Sequence, residues 1–308
     1  MTKIKLSLCI PTYNRLSDLK RCVDSIISGF KDYPYELIIA DGGSNDGTLN
    51  YLRNLNKNNI KIIEQGKLTG ITKAYNESFK IATGDYVYIG NDDTVLFPEI
   101  FIKSCELMDR EKQIGLVAPK DKEPLHGNLP AVTLKLKKYW ALLSKFHIFR
   151  HSVLKEIGYY DENLKSYYTD DDSCLSVLSR GYTIAFTKEV GMIHYREPYD
   201  VDQSKARKEN LKENEIKKEQ EYLDKKWKNL TEYLNDYIKN NYIKTSRQIY
   251  FTHYCSKAYH SKTLQMITPK FLYDFFLEQS VIFNDKEYSN LKDYYLIQRY
   301  PEVVINRL

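Results

Sequence analysis

Four short apolar runs in the first ninety residues constrain this chain more than any other feature: Ile4 to Ile10, Tyr35 to Ala40, Ile60 to Ile63 and Tyr86 to Ile89. Each is too short for a buried helix and is rich in β-branched or aromatic residues. Each also stops at or near proline, glycine, asparagine or aspartate, as buried strands do. Between them the pattern changes period. Leu19, Cys22, Val23 and Ile26 recur at helical spacing behind a cap at Ser17 or Asp18, and further helices are expected from Thr48 to Leu55 and from Gly70 to Ala82. Strands alternating with helices give a doubly wound, mainly parallel sheet, and strands apolar throughout are covered on both faces.

In such a sheet the chemistry sits outside the carboxyl ends of the strands. The second run ends in Asp41-Gly42-Gly43-Ser44-Asn45-Asp46-Gly47-Thr48, whose glycines let the backbone turn tightly beside a ligand. The fourth ends in Gly90-Asn91-Asp92-Asp93-Thr94. Asn91 and Asp93 are two apart and share one side of an extended chain, so an amide oxygen and a solvent-facing carboxylate can grip one hard cation. The alternative is a polar turn before a helix at Pro98. A second acidic cluster, Asp170-Asp171-Asp172, precedes Cys174, Leu175, Val177 and Leu178 at helical spacing. These carboxylates either cap that helix or act as an acid or base, their mutual repulsion pushing one pKa toward neutrality.

Composition removes several classes. With 308 residues, 42% of them hydrophobic, the chain can bury a real core. A net charge of +5 from 46 basic and 41 acidic residues gives no nucleic-acid footprint. The five cysteines form no C-x-x-C pair, which signals neither zinc nor a disulfide framework. No G-x-G-x-x-G or G-x-x-x-x-G-K-[ST] loop is present. The first strand follows no signal-peptide pattern, and no run approaches the ~18 apolar residues of a membrane span. A cytoplasmic protein, free or membrane-peripheral, is expected.

Four blocks in register, Ser7 to Arg15, Asp41 to Thr48, Gly70 to Asn76 and Gly84 to Pro98, resemble the family 2 glycosyltransferases of the GT-A fold. The resemblance implies a GT-A-type, Rossmann-like mixed sheet and an inverting transfer from a nucleotide-sugar donor to a glycan or lipid-linked glycan acceptor. Pro11, Thr12, Tyr13 and Asp41 would bind the base and ribose, by default uridine, and Arg15, Gly70, Lys73, Asn91 and Asp92 would complete the donor contacts. Mn2+ or Mg2+ on the diphosphate would be held by Asn91 and Asp93, with Asp92 able to share. Asn91 replaces the family's usual aspartate, and Gly90 stands where a bulky apolar residue is common. Aligned on Gly181-Tyr182, the second cluster matches the family's Glu-Asp-x-Asp block with Thr169 in the glutamate's place. That puts Asp170 in the place of the base, leaves Asp171 open as its rival, and puts Asp172 at the last aspartate. His194, beyond a short strand, would complete the metal site; a lone structural histidine is the alternative.

Elsewhere a helix is expected from Ile100 to Met108 and a strand from Gly115 to Ala118. The polar segment Pro119 to Pro130 would be a loop over the site, and Trp140 either a sugar-stacking platform or a core aromatic. Short apolar segments follow at Ile184 to Phe186 and Val190 to Ile193. No glycine follows Gly191, which suggests a transferase domain over 1–204 and a mainly helical region over 205–308. There Ile216, Leu223, Trp227, Leu230, Leu234 and Tyr237 form a stripe on a long helix, and aromatics as far as Tyr294 and Tyr295 suggest further helices. This region would recognise the acceptor, pair two copies of the chain, or rest on a membrane surface. Two other functions share these motifs: a catalytically silent nucleotide- or glycan-binding module, and a nucleotidyltransferase.

Overall fold

The computed structural model describes residues 3–122, 133–134, 142–143, 146–165, 167–195, 213–229 and 294–298. The alternation read from the sequence is present: β1 (Leu6–Thr12), α1 (Leu16–Gly29), β2 (Tyr35–Asp41), α2 (Thr48–Asn54), β3 (Ile60–Glu64), α3 (Ile71–Ile81) and β4 (Tyr86–Ile89). Then come β5 (Thr94–Leu96), α4 (Pro98–Arg110), β6 (Ile114–Lys122), the small ladder of β7 (Thr133–Leu134) with β8 (Leu142–Leu143), and β9 (His147–Arg150). The remaining elements are α5 (His151–Glu156), α6 (Thr169–Ser179), β10 (Thr183–His194), a helix here termed α7 (Glu213–Lys226) and β11 (Tyr294–Gln298).

The main sheet runs β11-β10-β6-β9-β4-β1-β2-β3, with β5 also on β10. β3, β2, β1 and β4 are parallel; β9 is antiparallel to both β4 and β6; β10 is parallel to β6. The carboxyl ends of β1, β2, β4, β6 and β10 therefore meet on one edge, joined there by His147 at the start of β9. Alternate residues feed two cores. Cys9, Ile38, Val87 and Ile89 face the α3 and α6 side, whereas Leu8, Ile10, Leu37, Ile39, Tyr86 and Tyr88 face α1 and α4. Full burial of each such side chain is worth about 1.5–3 kcal/mol, so both helical layers are held without help from caps.

Several expectations need correction. α1 is capped by neither Ser17 nor Asp18: the Leu16 N–H donates to Asp46 Oδ2 across the gap from the next loop (2.9 Å), and Asp18 instead pairs with Arg15 and Arg21. Pro119 does not open a loop. β6 continues to Lys122, and its partner bulges between Phe186 and Val190, where Thr187 Oγ1 accepts the Lys120 N–H. A bulge is where a strand proline, which has no N–H to give, is tolerated. The two apolar segments after Tyr182 are one strand, β10, whose register against β6 shifts at that bulge and also between Thr183 and Ile184 and between Val190 and Met192. Tyr294 and Tyr295 lie on a strand, not a helix, antiparallel to β10 with Ile184 opposite Gln298. In the expected long helix, α7 carries Leu223 into the core at 1% exposure. The segment 123–130, Trp140, the boundary at 204–205 and Leu230, Leu234 and Tyr237 lie outside the described residues.

Candidate active site at the carboxyl edge of the sheet

Two loops lock together at the ends of β1 and β2. Thr12 and Asp41 are register partners; Asn14, in the left-handed region at φ 53°, donates its N–H to Ser44 Oγ and accepts the Asn45 N–H at Oδ1 (2.8 Å each). Asp41 Oδ2 accepts the N–H groups of Gly43 and Ser44 at 3.0 Å, while its Oδ1 is buried with no hydrogen-bond partner. Gly43, at φ +88°, comes so close to Gly66 that a Cβ would meet that backbone at 2.7 Å, which ties the second loop to the one after β3. Tyr13 (42% exposed) and Leu68 (56% exposed) flank Gly42, the residue that follows Asp41. Pro11 is half-buried at the end of β1.

The acidic triplet after β4 is not solvent-facing. Asp92 and Asp93 are 4% and 3% exposed, and a single guanidinium spans them: Arg15 Nη1 lies 3.0 Å from Asp92 Oδ1, and Nη2 lies 3.0 Å from Asp93 Oδ2 and 3.1 Å from Asp18. Thr12 Oγ1 donates to Asp92 Oδ2 (2.8 Å), so this hydroxyl orients a carboxylate. The chain turns into β5 at once, which buries the triplet against β10, and the Tyr195 N–H donates to the Asp93 carbonyl. Asn91 remains half-buried, its Oδ1 accepting the Tyr75 hydroxyl at 3.2 Å. Gly90 has no room for a side chain because the Tyr88 ring fills that space.

His194, at the end of β10, stands between two carboxylates. Nε2 is 3.3 Å from Asp93 Oδ1, Nδ1 is 3.6 Å from Asp121 Oδ2, and the Phe146 ring meets the imidazole edge-on at 5.1 Å. Burial disfavours the imidazolium, but Asp121 and Asp93 outweigh it and raise the pKa to about 9. Burial likewise opposes ionisation of Asp93, yet His194 and Arg15 bring it down to about 2. Burial wins at Asp92, pushed up to about 7 against the pull of Arg15. Asp121 is 1% exposed; the expected loop assignment at Pro119 hid it.

The second cluster starts α6. Tyr168, left-handed at φ 62°, is the N-cap residue and no side chain caps the helix, so none of the three aspartates serves as the cap. Asp170 is half-buried, Asp171 is 3% exposed, and Asp172 is enclosed by Trp227 Nε1 (2.7 Å) and Lys226 Nζ (2.9 Å). Tyr75 links the clusters. Its buried hydroxyl donates to Gly90 O and Asn91 Oδ1, and after burial itself the charges of Asp92, Asp93 and Asp170 all disfavour its ionisation. α3 is clasped to the loop before α6, with Asn76 Nδ2 donating to Tyr160 O and Oδ1 accepting the Tyr160 N–H (2.9 and 3.0 Å). Thr72 Oγ1 donates to Leu164 O. Gly70 begins α3 at φ +96°, and Lys73 is exposed. Within the Gly70 to Asn76 block, Tyr75 reaches Asn91 and Asn76 reaches Tyr160. A cavity of about 430 Å³ lies at the opposite end of β4, lined by Gly84, Arg150 and His151, and takes no part in this arrangement.

Residues 7–158 match the family described as Glycosyl transferase family 2. A dolichol-phosphate mannosyltransferase of Pyrococcus furiosus is 29% identical over 114 residues, 37% of this chain and 32% of that protein. A poly-beta-1,6-N-acetyl-D-glucosamine synthase of Staphylococcus epidermidis is 24% identical over 177 residues, covering 52% and 42%. The chain thus spans less than half the length of these curated relatives. In three dimensions, S. aureus TarS 1-349 in complex with UDP superimposes with a TM-score of 0.54 at 23% identity, covering 63% of this chain and 61% of that one. The mannosyltransferase PcManGT from Pyrobaculum calidifontis, in complex with GDP-Man and Mn2+, gives 0.52 at 17%, covering 68% and 61%. With its sequence blocks at the carboxyl edge of a sheet of this topology, the chain belongs, through residues 7–158, to glycosyl transferase family 2 and has the GT-A fold.

Proposed function

We propose that this protein is an inverting glycosyltransferase that moves a sugar from a nucleoside diphosphate donor to a hydroxyl of a glycan or lipid-linked glycan. The observation that carries the reading is Tyr75: its hydroxyl bonds Asn91 on the donor side and its ring packs edge-on at 5.7 Å against Tyr160, in the segment that leads to the second acidic cluster.

Asp41 Oδ1, buried without a hydrogen-bond partner, would accept an N–H from the donor's base, such as the imide of uracil or the N1–H of guanine. Tyr13 and Leu68 would cover the base faces. A divalent ion would take the oxygens of the triplet: Asp93 Oδ1, buried and 3.3 Å from His194 Nε2, would face it once the imidazole is neutral, and Asn91 adds an amide oxygen. Among the described residues no three His, Cys, Asp or Glu side chains form a ready metal cluster. Asn91 and Asp93 would therefore hold Mn2+ or Mg2+ together with donor oxygens, and His194 would join them by giving up its proton. When bound, the ion supplies Lewis-acid charge to the departing diphosphate. Arg15, which now balances both aspartates, keeps their charge compensated in its absence.

Asp170, the most accessible of its cluster, takes the acceptor proton as the oxygen attacks the anomeric carbon. Asp172, buried and already accepting from Lys226 and Trp227, is the less available carboxylate. Incubation with a panel of nucleotide sugars and Mn2+ tests the proposal. Transfer or donor hydrolysis is expected with a UDP- or GDP-sugar, and no turnover with any donor, with or without metal, overturns it. No helix among the described residues is long and apolar enough to cross a membrane.

A further inference from the structure

The first turn of α6 carries Asp170 and starts from a left-handed tyrosine without a side-chain cap; its own bonds are the Asp172 N–H to Tyr168 O (2.8 Å) and Ser173 Oγ to Asp170 O (3.0 Å). What grips it is α7. Glu219, 9% exposed, accepts the N–H of Lys165 at Oε1 (3.0 Å) and of Tyr167 at Oε2 (2.8 Å), the amides flanking the entry to the turn. Three residues on, the Tyr222 hydroxyl donates to Asp161 Oδ2 (2.9 Å), and Leu223 enters the core. Lys226 Nζ then bridges Asp161 Oδ2 (2.8 Å) and Asp172 Oδ1 (2.9 Å), and Trp227 Nε1 donates to Asp172 Oδ1 (2.7 Å). Residues 219, 222, 223 and 226 occupy one helical face, so a single element seizes both ends of the loop and the turn it launches.

We infer that α7 is a positioning brace for the general base, acting through Glu219, Lys226 and Trp227, which orient the Asp170 turn without touching substrate. This rests on the proposed role of Asp170. Apolar contact through Leu223 alone would dock the helix. Three charge-assisted or N–H bonds to two carboxylates add direction, fixing the rotation of α6 about its axis and hence where Asp170 points. A misplacement of about 1 Å at a reacting group costs on the order of 10²-fold in rate.

The test uses the full chain carrying Trp227→Phe, Glu219→Gln or Lys226→Met, with Lys226→Arg as the conservative rescue. The readouts are transfer kcat, donor KM, calorimetric affinity for UDP and amide hydrogen exchange. Trp227→Phe keeps an aromatic side chain against the core while removing the indole N–H and part of its packed surface, and Lys226→Met leaves the core packing alone, so the two together separate lost donors from lost packing. The expected result is a loss of kcat of about 10- to 100-fold with donor KM and UDP affinity within about twofold. Lys226→Arg should restore most of the rate lost in Lys226→Met, and faster exchange should be confined to residues 161–172. Unchanged kcat overturns the brace, as does a loss of rate matched by equal loss of UDP-binding sites. If the unsubstituted protein turns over no donor, the glycosyltransferase reading fails by itself. The brace then stands or falls on exchange: a rise confined to 161–172 supports it, and no rise or a global one overturns it.

Discussion

The charge on His194 can be read as stability against pH. The imidazole lies 3.3 Å from Asp93 and 3.6 Å from Asp121, and its pKa, after the burial penalty, is raised to about 9. An unfolded histidine titrates near ~6.5. Because the folded value is the higher one, the stabilisation is fully present below pH ~6.5 and is lost as pH rises through 9. A shift of about two and a half units corresponds to at most about 3 kcal/mol, of which about 2 kcal/mol disappears between pH 6.5 and 8.5. Asp92, pushed up to about 7 chiefly by burial, loses its own contribution mainly below that window. The buried thiols of Cys9, Cys22 and Cys105 act above it, their pKa values raised by burial. Urea unfolding with a chelator at pH 6.5, 7.5 and 8.5, on the unsubstituted protein and on His194→Asn, isolates the term. Across the window the protein should lose about 2 kcal/mol more than the variant, which is already weaker at pH 6.5. Parallel curves would refute a buried imidazolium.

Three more outcomes are expected. Tyr13→Ala should leave the melting temperature within about 1 °C, because the ring is 42% exposed, yet weaken UDP binding by roughly 10-fold through lost stacking; calorimetry gives both signs. Asp170→Asn should bind UDP normally and lose transfer by about 10² to 10⁴ in a coupled diphosphate-release assay, and near-normal turnover would move the base elsewhere. Asn76→Ala should cost about 2–3 kcal/mol in denaturant titrations, since it strips the Tyr160 N–H and carbonyl of partners in a site only 4% exposed.

The strand–helix alternation was legible because burial on both faces writes itself as unbroken apolar runs, and Tyr35–Asp41 and Tyr86–Ile89 lie within a residue of their expected bounds. What resisted reading depended on partners distant in sequence. β5 is three residues long and exists through its pairing with β10; Pro119 is tolerated because the bulge opposite it spares an N–H. At the site, the residue types at the strand ends were readable, but not their neighbours. Arg15 resembled a donor contact and holds the aspartates, while Asp93 was expected in solvent and lies beneath His194. Asp172 sat in a catalytic motif and serves as the anchor for Lys226 and Trp227, more than fifty residues away. Such pairings leave no local period, so no reading of one window at a time could find them.

The pairing of β10 with β11 also sets an order of assembly. Beside β6, β10 offers its second edge to β5 at Met192–His194 and to β11 at Ile184–Thr187. The strand for the first cover precedes β10 in the chain; the strand for the second, Tyr294–Gln298, follows it. Throughout the interval the nascent sheet presents a row of open amides and carbonyls next to the buried Ala185 and Phe186, the kind of edge that recruits strands from other chains. Synthesis halted in that interval should therefore give a chain that self-associates through β10, and a peptide with the sequence of residues 294–298 and its flanks should compete with that association.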